Sequence, residues 1–330
     1  MRVVALEEHY TVPRLVSRID PAAIRRRGFP GPDVVWAQVI KRNELANLGD
    51  ARLADMDASG ITVQVLSVAG PGADVVPGAE GIALARDYNN ALAEAGSRHP
   101  DRLRGFAHLP MHSPDAAADE LERTIKDLGF HGLLVNGPTD GRFLDDPTFE
   151  PILARAEALD VPIYIHPGMP PAEVRKAYYE GFSKNINFGL ATFAWGWHYE
   201  VAVHVMRLAV SGAMDKFPKL NFIIGHMGEG LPAMLARCEH QFGRDLSFLS
   251  RPLSKMIPAQ VYVTSAGFFT NPPFVAALET FGIDRLMFSV DYPYASNADA
   301  RAFLDNVPLS PSDREKIAHG NADRLLKLNA

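Results

Sequence analysis

Residues 161–167 read VPIYIHP, an unbroken apolar run closed by a histidine and a proline. A run of this length without polar alternation is what a strand covered on both faces requires, as in a parallel sheet under helices. The pattern recurs on either side: VQVLSV at 63–68 and NFIIG at 221–225 are also continuous. Counting outward gives eight runs: Val3 to Glu7, Thr62 to Val68, Leu103 to Leu109, Gly132 to Val135, Pro162 to His166, Asn221 to His226, Gln260 to Ser265 and Leu286 to Val290. Helical patterns separate them, among them Ala79 to Arg98, Pro114 to Leu128 with Ser113 as expected N-cap, Thr148 to Leu159, His198 to Ser211 and Pro272 to Phe281. A closing helix is expected over Ser312 to Leu328.

Strand–helix alternation of this kind in 330 residues predicts an α/β chain folded as a (β/α)8 barrel, one domain over residues 1–330. A doubly wound open sheet would announce a Gly-rich turn after its first strand, whereas this strand runs into Glu7, Glu8 and His9. Two stretches exceed simple connections: Arg14 to Gly49 after strand one, and Gly168 to Trp197 after strand five. In a barrel such extended βα loops line the mouth of the active site. The second carries Tyr178, Tyr179, Trp195 and Trp197, a composition suited to a flat apolar substrate.

With 47% hydrophobic residues the chain can bury a large core, and 33 basic against 39 acidic residues give a formal charge of −6. That balance argues against nucleic acid and for a small-molecule substrate. The single cysteine, Cys238, excludes an internal disulfide and a Cys-rich metal site, so a cytoplasmic protein with oxygen and nitrogen ligands is expected. No apolar stretch reaches the roughly 18 residues that span a bilayer, and no membrane association is expected.

The titratable residues concentrate where strands end. Strand one ends in Glu7, Glu8 and His9, strand five in His166, strand six in His226 and Glu229, and strand eight in Asp291, Tyr292 and Pro293. Residues two apart on a strand share a side, so Glu7 and His9 face the barrel axis together and Glu8 points away. Two histidines and two carboxylates suit Zn, Mn or Fe with a position left open for water or substrate. Strand four, GLLVNG, has no lysine to bridge a second metal, so one divalent ion is expected. His99, His108, His112, His131 and His319 read as structural or solvated. His198 and His204, six apart on one helix, do not have the spacing of a ligand pair.

ALEEH (5–9), YIHP (164–167), IIGHMGEGLP (223–232) and MFSVDYP (287–293) together resemble the amidohydrolase superfamily, end to end. Within it the chain is similar to the decarboxylase branch that includes aminocarboxymuconate-semialdehyde, γ-resorcylate, 2,3-dihydroxybenzoate and 5-carboxyvanillate decarboxylases. The resemblance implies that Glu7, His9, His166 and Asp291 bind one divalent metal, Mn or Zn first and Mg next, with His226 and Glu229 as an acid–base pair. Hydrolytic members usually open with His-x-His, and Glu7 in place of the first histidine favours decarboxylation.

The implied activity is nonoxidative decarboxylation of a hydroxybenzoate-type aromatic acid, with Asp291 the first choice for the acid that protonates the ring and His226, paired with Glu229, the other. The alternative is a metal-dependent hydrolase of a lactone or amide on the same fold. Arg52 in DARLADMD matches a family substrate-carboxylate contact, and Arg237 in LARCEH one that some members contribute across a dimer interface. Asn185, Trp195 and Tyr292 are the remaining candidates for the substrate wall, and a homodimer or homotetramer is expected.

Overall fold

The computed structural model describes residues 1–30 and 43–328. Eight parallel strands follow the expected order: β1 (Val4–Tyr10), β2 (Val63–Val68), β3 (Leu103–Gly105), β4 (Leu133–Asn136), β5 (Ile163–His166), β6 (Phe222–Ile224), β7 (Val261–Thr264) and β8 (Leu286–Met287). The principal helices between them are α1 (Asp50–Ala58), α2 (Gly78–Arg98), α3 (Pro114–Leu128), α4 (Glu150–Leu159), α5 (Gly196–Val210), α6 (Leu231–Phe242), α7 (Asn271–Phe281) and α8 (Asn297–Asn306). Backbone pairing divides the strands into β1-β2-β3 and β4-β5-β6-β7-β8. A parallel bridge, Ala107 to Leu133, joins the two sets on one side.

Side chains, with one backbone bond from His9 N to Tyr292 O at 2.7 Å, close the other side. Glu8 accepts from Val290 N at 2.8 Å and Tyr292 N at 3.1 Å, while Ser289 Oγ accepts from Leu6 N at 3.1 Å and Glu7 N at 3.0 Å. These groups take over the ladder that so short a β8 cannot supply, which satisfies backbone amides that would otherwise be buried without partners. Glu8 does point away from the axis, as expected, but into this seam rather than to solvent, and it is fully buried. Burial drives its carboxyl well above the ordinary value against the pull of the two backbone amides.

Alternate residues from the strands fill the barrel: Val4 and Leu6, Val63 and Val65, Leu134, Tyr164, Ile223, Tyr262 and Met287 form one buried cluster. Leu326 and Leu328 join it from the C-terminal segment. That segment is not the single helix expected over Ser312 to Leu328. It runs as Pro311–Glu315, a wide turn Lys316–Gly320, and Asn321–Leu326. Ser113 occupies the N-cap of α3 without a side-chain hydrogen bond, and Pro114 follows at the first helical position, where its missing N–H costs the helix nothing.

One irregularity positions the chemistry. The β1–β2 register shifts between Ala5 and Glu8, a bulge that gives β1 one residue more than its partner. Leu6 packs in the barrel cluster, yet beyond the bulge it is Glu7 and His9 that face the axis. Strict alternation would have sent them into the outer layer. Long segments separate β1 from α1 and β5 from α5. In the first, helix Pro21–Arg27 leads to Phe29, and the expectation for residues 31–42 lies outside the described residues. The second contains Ala172–Val174, Arg175–Tyr179 and Lys184–Ala191 before α5 begins.

Candidate active site

At the C-terminal end of the barrel a cavity of about 420 Å³ opens among His9, His166, His226 and Asp291. The extended segments supply Arg27, Phe29 and Phe193 to its walls, the first turn of α5 supplies Trp197 and His198, and the loops after β7 and β8 supply Phe268 and Tyr294. This is the size and mixed character of a small-ligand site, mainly apolar with a few convergent polar groups.

Two strands, β1 and β5, bring Glu7, His9 and His166 together so that one donor atom from each lies within 4.8 Å of the others. His166 Nε2 stands 3.4 Å from Glu7 Oε1, and His9 Nε2 stands 3.1 Å from Asp291 Oδ1. Glu7 Oε1, His9 Nε2 and Asp291 Oδ1 are buried without a hydrogen-bond partner among the described residues. Buried polar atoms are seldom left in this state. Donors roughly 2.1 Å from one ion stand about 3 to 3.5 Å apart, so this oxygen and nitrogen set fits a divalent cation.

The groups behind the donors fix their direction. His166 Nδ1 donates to Pro167 O at 2.8 Å, leaving Nε2 as the free lone pair, and His9 Nδ1 lies 3.2 Å from Ser67 Oγ. The Tyr164 hydroxyl donates to Glu7 Oε2 and contacts Thr264 Oγ1 at 2.8 Å. Such partners orient ligating atoms and raise their basicity. Burial, reinforced by His9, takes His166 down to about 3, so its ring is neutral, the form that ligates. Burial pushes Glu7 up to about 7, His226 opposing and Asp291 adding to the shift. A cation in this nest would reverse that penalty.

On the far side of the cavity, the turn after β6 is left-handed at His226 (φ 49°), Met227 (φ 56°) and Glu229 (φ 57°), and Asp291 has φ 74°. Left-handed backbone costs such residues about 1–3 kcal/mol each and clusters where geometry serves chemistry. The turn aims His226 Nδ1 at Glu229 Oε1, 2.6 Å away, and leaves Nε2 at 3.8 Å from Asp291 Oδ2 and 3.9 Å from Glu7 Oε1. Burial opposes the charged imidazole, but Glu229 and Glu7 outweigh it and hold His226 well above its ordinary value. Glu229 falls to about 2 against its own burial, chiefly through His226. Asp291 is likewise lowered, burial being outweighed by His226 and His9.

The residues expected to contact substrate fare differently. Arg52 lies outside the cavity lining: its guanidinium is buried and donates to His9 O at 2.6 Å, Asn47 O at 2.8 Å, Gln64 Oε1 at 3.0 Å and Glu44 O at 3.2 Å. It braces the end of β1. Tyr292 is turned away as well, its ring 4.8 Å beneath that guanidinium, and Tyr294 takes the wall position. Trp195 is exposed and packs on Tyr199 at 4.9 Å, while Trp197 lines the cavity. Asn185 and Arg237 are exposed and line no part of the cavity in this chain.

Sequence reasoning missed His198. It lines the cavity and presents Nδ1 to Glu229 Oε2 at 2.7 Å. Pairing it with His204 hid it, because His204 is a core residue whose Nε2 accepts from Leu144 N at 3.0 Å. The usable signal was its place in the first turn after the strand-five loop.

The family profile described as "Amidohydrolase" matches residues 12–328. The chain is 37% identical to a γ-resorcylate decarboxylase from Rhizobium sp., the alignment covering 99% of this chain and 98% of the relative. A dihydroxybenzoic acid decarboxylase from a Polaromonas species, solved with manganese and 2-nitroresorcinol bound, superposes with a TM-score of 0.86 at 34% identity, covering 100% of this chain and 98% of that one. The 5-carboxyvanillate decarboxylase of Sphingomonas paucimobilis superposes at 0.88 with 28% identity and 99% of each chain covered. With its barrel, its strand-end donors and a profile match along nearly its whole length, this chain belongs to the amidohydrolase family.

Proposed function

We propose that this chain is a metal-dependent nonoxidative decarboxylase of a hydroxybenzoate, a carboxy-lyase that protonates the ring at the carboxylate-bearing carbon and releases carbon dioxide. The observation that carries the proposal is the convergence of Asp291 with the Glu7, His9 and His166 donors at the floor of an aromatic-walled cavity. The γ-resorcylate, dihydroxybenzoic acid and 5-carboxyvanillate decarboxylases that match along their full length favour it over the lactone or amide hydrolase.

Glu7, His9, His166 and Asp291 would hold the ion, with manganese first by analogy to the Polaromonas enzyme and zinc or magnesium next. When bound, the ion supplies Lewis-acid neutralisation of the substrate's carboxylate and ortho phenolate oxygens, worth several kcal/mol. The Asp291 carboxylate, ionised beside His226 and His9, accepts the phenolic proton as substrate binds and returns it to the ring carbon. The carbon–carboxylate bond then breaks, its electron pair restores the aromatic ring and carbon dioxide departs. His226, oriented by Glu229, balances the charge on Asp291. Phe193, Trp197 and Phe268 supply flat apolar walls that keep water from the dearomatised ring.

Residues 1–330 are read as one catalytic domain acting in the cytoplasm, with the lone Cys238 supporting a reducing compartment. A homodimer or homotetramer is proposed, in which the exposed Arg237 of α6 serves a neighbouring site. The test of function is elemental analysis of the purified protein together with a screen of ortho-hydroxybenzoates for carbon dioxide release. One equivalent of metal and carbon dioxide release abolished by chelation are expected. Ring opening of a lactone without carbon dioxide would replace this reading with the hydrolase.

A further inference from the structure

Glu229 is fully buried, and both of its oxygens are taken by imidazoles from different parts of the chain. Oε1 faces His226 Nδ1 at 2.6 Å, from the turn after β6. Oε2 faces His198 Nδ1 at 2.7 Å, from the first turn of α5. The other nitrogen of His198, Nε2, lies 3.0 Å from Phe193 O in the segment that covers the cavity. The two imidazole rings meet edge-on at 4.8 Å, and both pack against Phe268, at 5.0 and 5.6 Å.

We infer that His198 is a positioning residue: it locks the second oxygen of Glu229, so the aim of His226 depends on how the segment after β5 is seated. A buried carboxylate held by one oxygen alone can rotate about its last torsion, and its free oxygen stands without a partner. With both oxygens held, the carboxylate plane is fixed, and the plane fixes the direction of His226 Nε2 toward Asp291. Since His198 also meets Phe193 O, closing the aromatic wall over substrate and aligning the acid–base pair become one event. The ordinary alternative is that His198 only fills space beside Phe268.

The inference rests on the decarboxylase reading for its kinetic test, so a readout independent of turnover accompanies it. His198→Phe keeps a ring and removes the donor to Glu229. His198→Asn places an amide N–H where Nδ1 was, and His198→Gln moves the amide toward the Nε2 position. Turnover of His198→Phe should fall about 10- to 100-fold, the usual cost of losing a group that orients a catalytic one. The Michaelis constant should stay within about 3-fold, since the interaction acts on the transition state. His198→Asn should recover most of the loss and His198→Gln little of it.

In the manganese-free, zinc-loaded protein, the low-field proton resonance of the short His226–Glu229 hydrogen bond should persist in wild type and His198→Asn and broaden or vanish in His198→Phe. Wild-type turnover and an unchanged resonance in His198→Phe would overturn the inference. So would a His198→Asn variant as impaired as His198→Gln, a comparison that still decides if His198→Phe fails to fold. Absence of carbon dioxide release from wild type would count against the decarboxylase reading, while the resonances would still decide the role of His198.

Discussion

Replacing Gly225 with alanine would press a methyl group into the carboxylate of Glu7. A Cβ on Gly225 would stand 2.4 Å from Glu7 Oε2, 3.2 Å from its Cδ and 3.3 Å from Oε1. The backbone there, φ −84° and ψ −166°, is open to any L-residue, so the substitution adds no strain of its own. Ordinary contact begins at 3.4 Å, and the carboxylate must therefore retreat by about 1 Å. It has little room, with the Tyr164 hydroxyl on Oε2 and His166 Nε2 at 3.4 Å from Oε1. A displacement of this size should weaken metal binding about 10- to 100-fold and lower turnover by on the order of 100-fold even at saturating metal. Equilibrium dialysis followed by elemental analysis measures the first, carbon dioxide release the second, and a thermal melt checks that the barrel is intact. A well-folded Gly225→Ala protein with wild-type metal affinity and turnover would refute the placement of Glu7 at the metal.

His166→Ala should lose bound metal and activity together, and full activity in metal-stripped protein would contradict it. His226→Asn should keep its metal while turnover drops about 100- to 10,000-fold, read by elemental analysis beside steady-state kinetics, and unchanged turnover would make His226 a core residue. Arg52→Ala should cost on the order of 3 kcal/mol in chemical denaturation, since it strips the partners from several buried acceptors. A large rise in the Michaelis constant at unchanged stability would instead restore Arg52 as a substrate contact. If Arg237 serves a neighbour's site, mixing inactive Arg237→Ala and His166→Ala chains should restore part of the activity, and confirmed hetero-oligomers without rescue would reject the shared site.

The barrel was legible because strands buried on both faces leave long apolar runs, and the donors because polar residues ending such runs stand out. What lay hidden depends on contacts between distant segments. The bulge in β1 has no sequence mark, yet it keeps Leu6 in the barrel and turns Glu7 and His9 to the axis. The resemblance of DARLADMD to the family implied a substrate-carboxylate contact for Arg52, but α1 delivers it to backbone carbonyls at the end of β1. Tyr292 and Tyr294, or Trp195 and Trp197, are equivalent by composition. Only the direction of the loop decides which member of each pair faces the cavity. His198 escaped notice because its partner, Glu229, is far away along the chain and already matched to His226.

The most direct test of the central claim is to incubate the manganese-loaded enzyme with carboxyl-labelled 2-hydroxybenzoates, singly and doubly hydroxylated, in deuterated water. The account predicts labelled carbon dioxide equal to substrate consumed and one deuterium in the product, on the carbon that bore the carboxylate. Both should vanish in Asp291→Asn with its metal retained. Substrate consumption without labelled carbon dioxide, or deuterium at any other ring carbon, would contradict it.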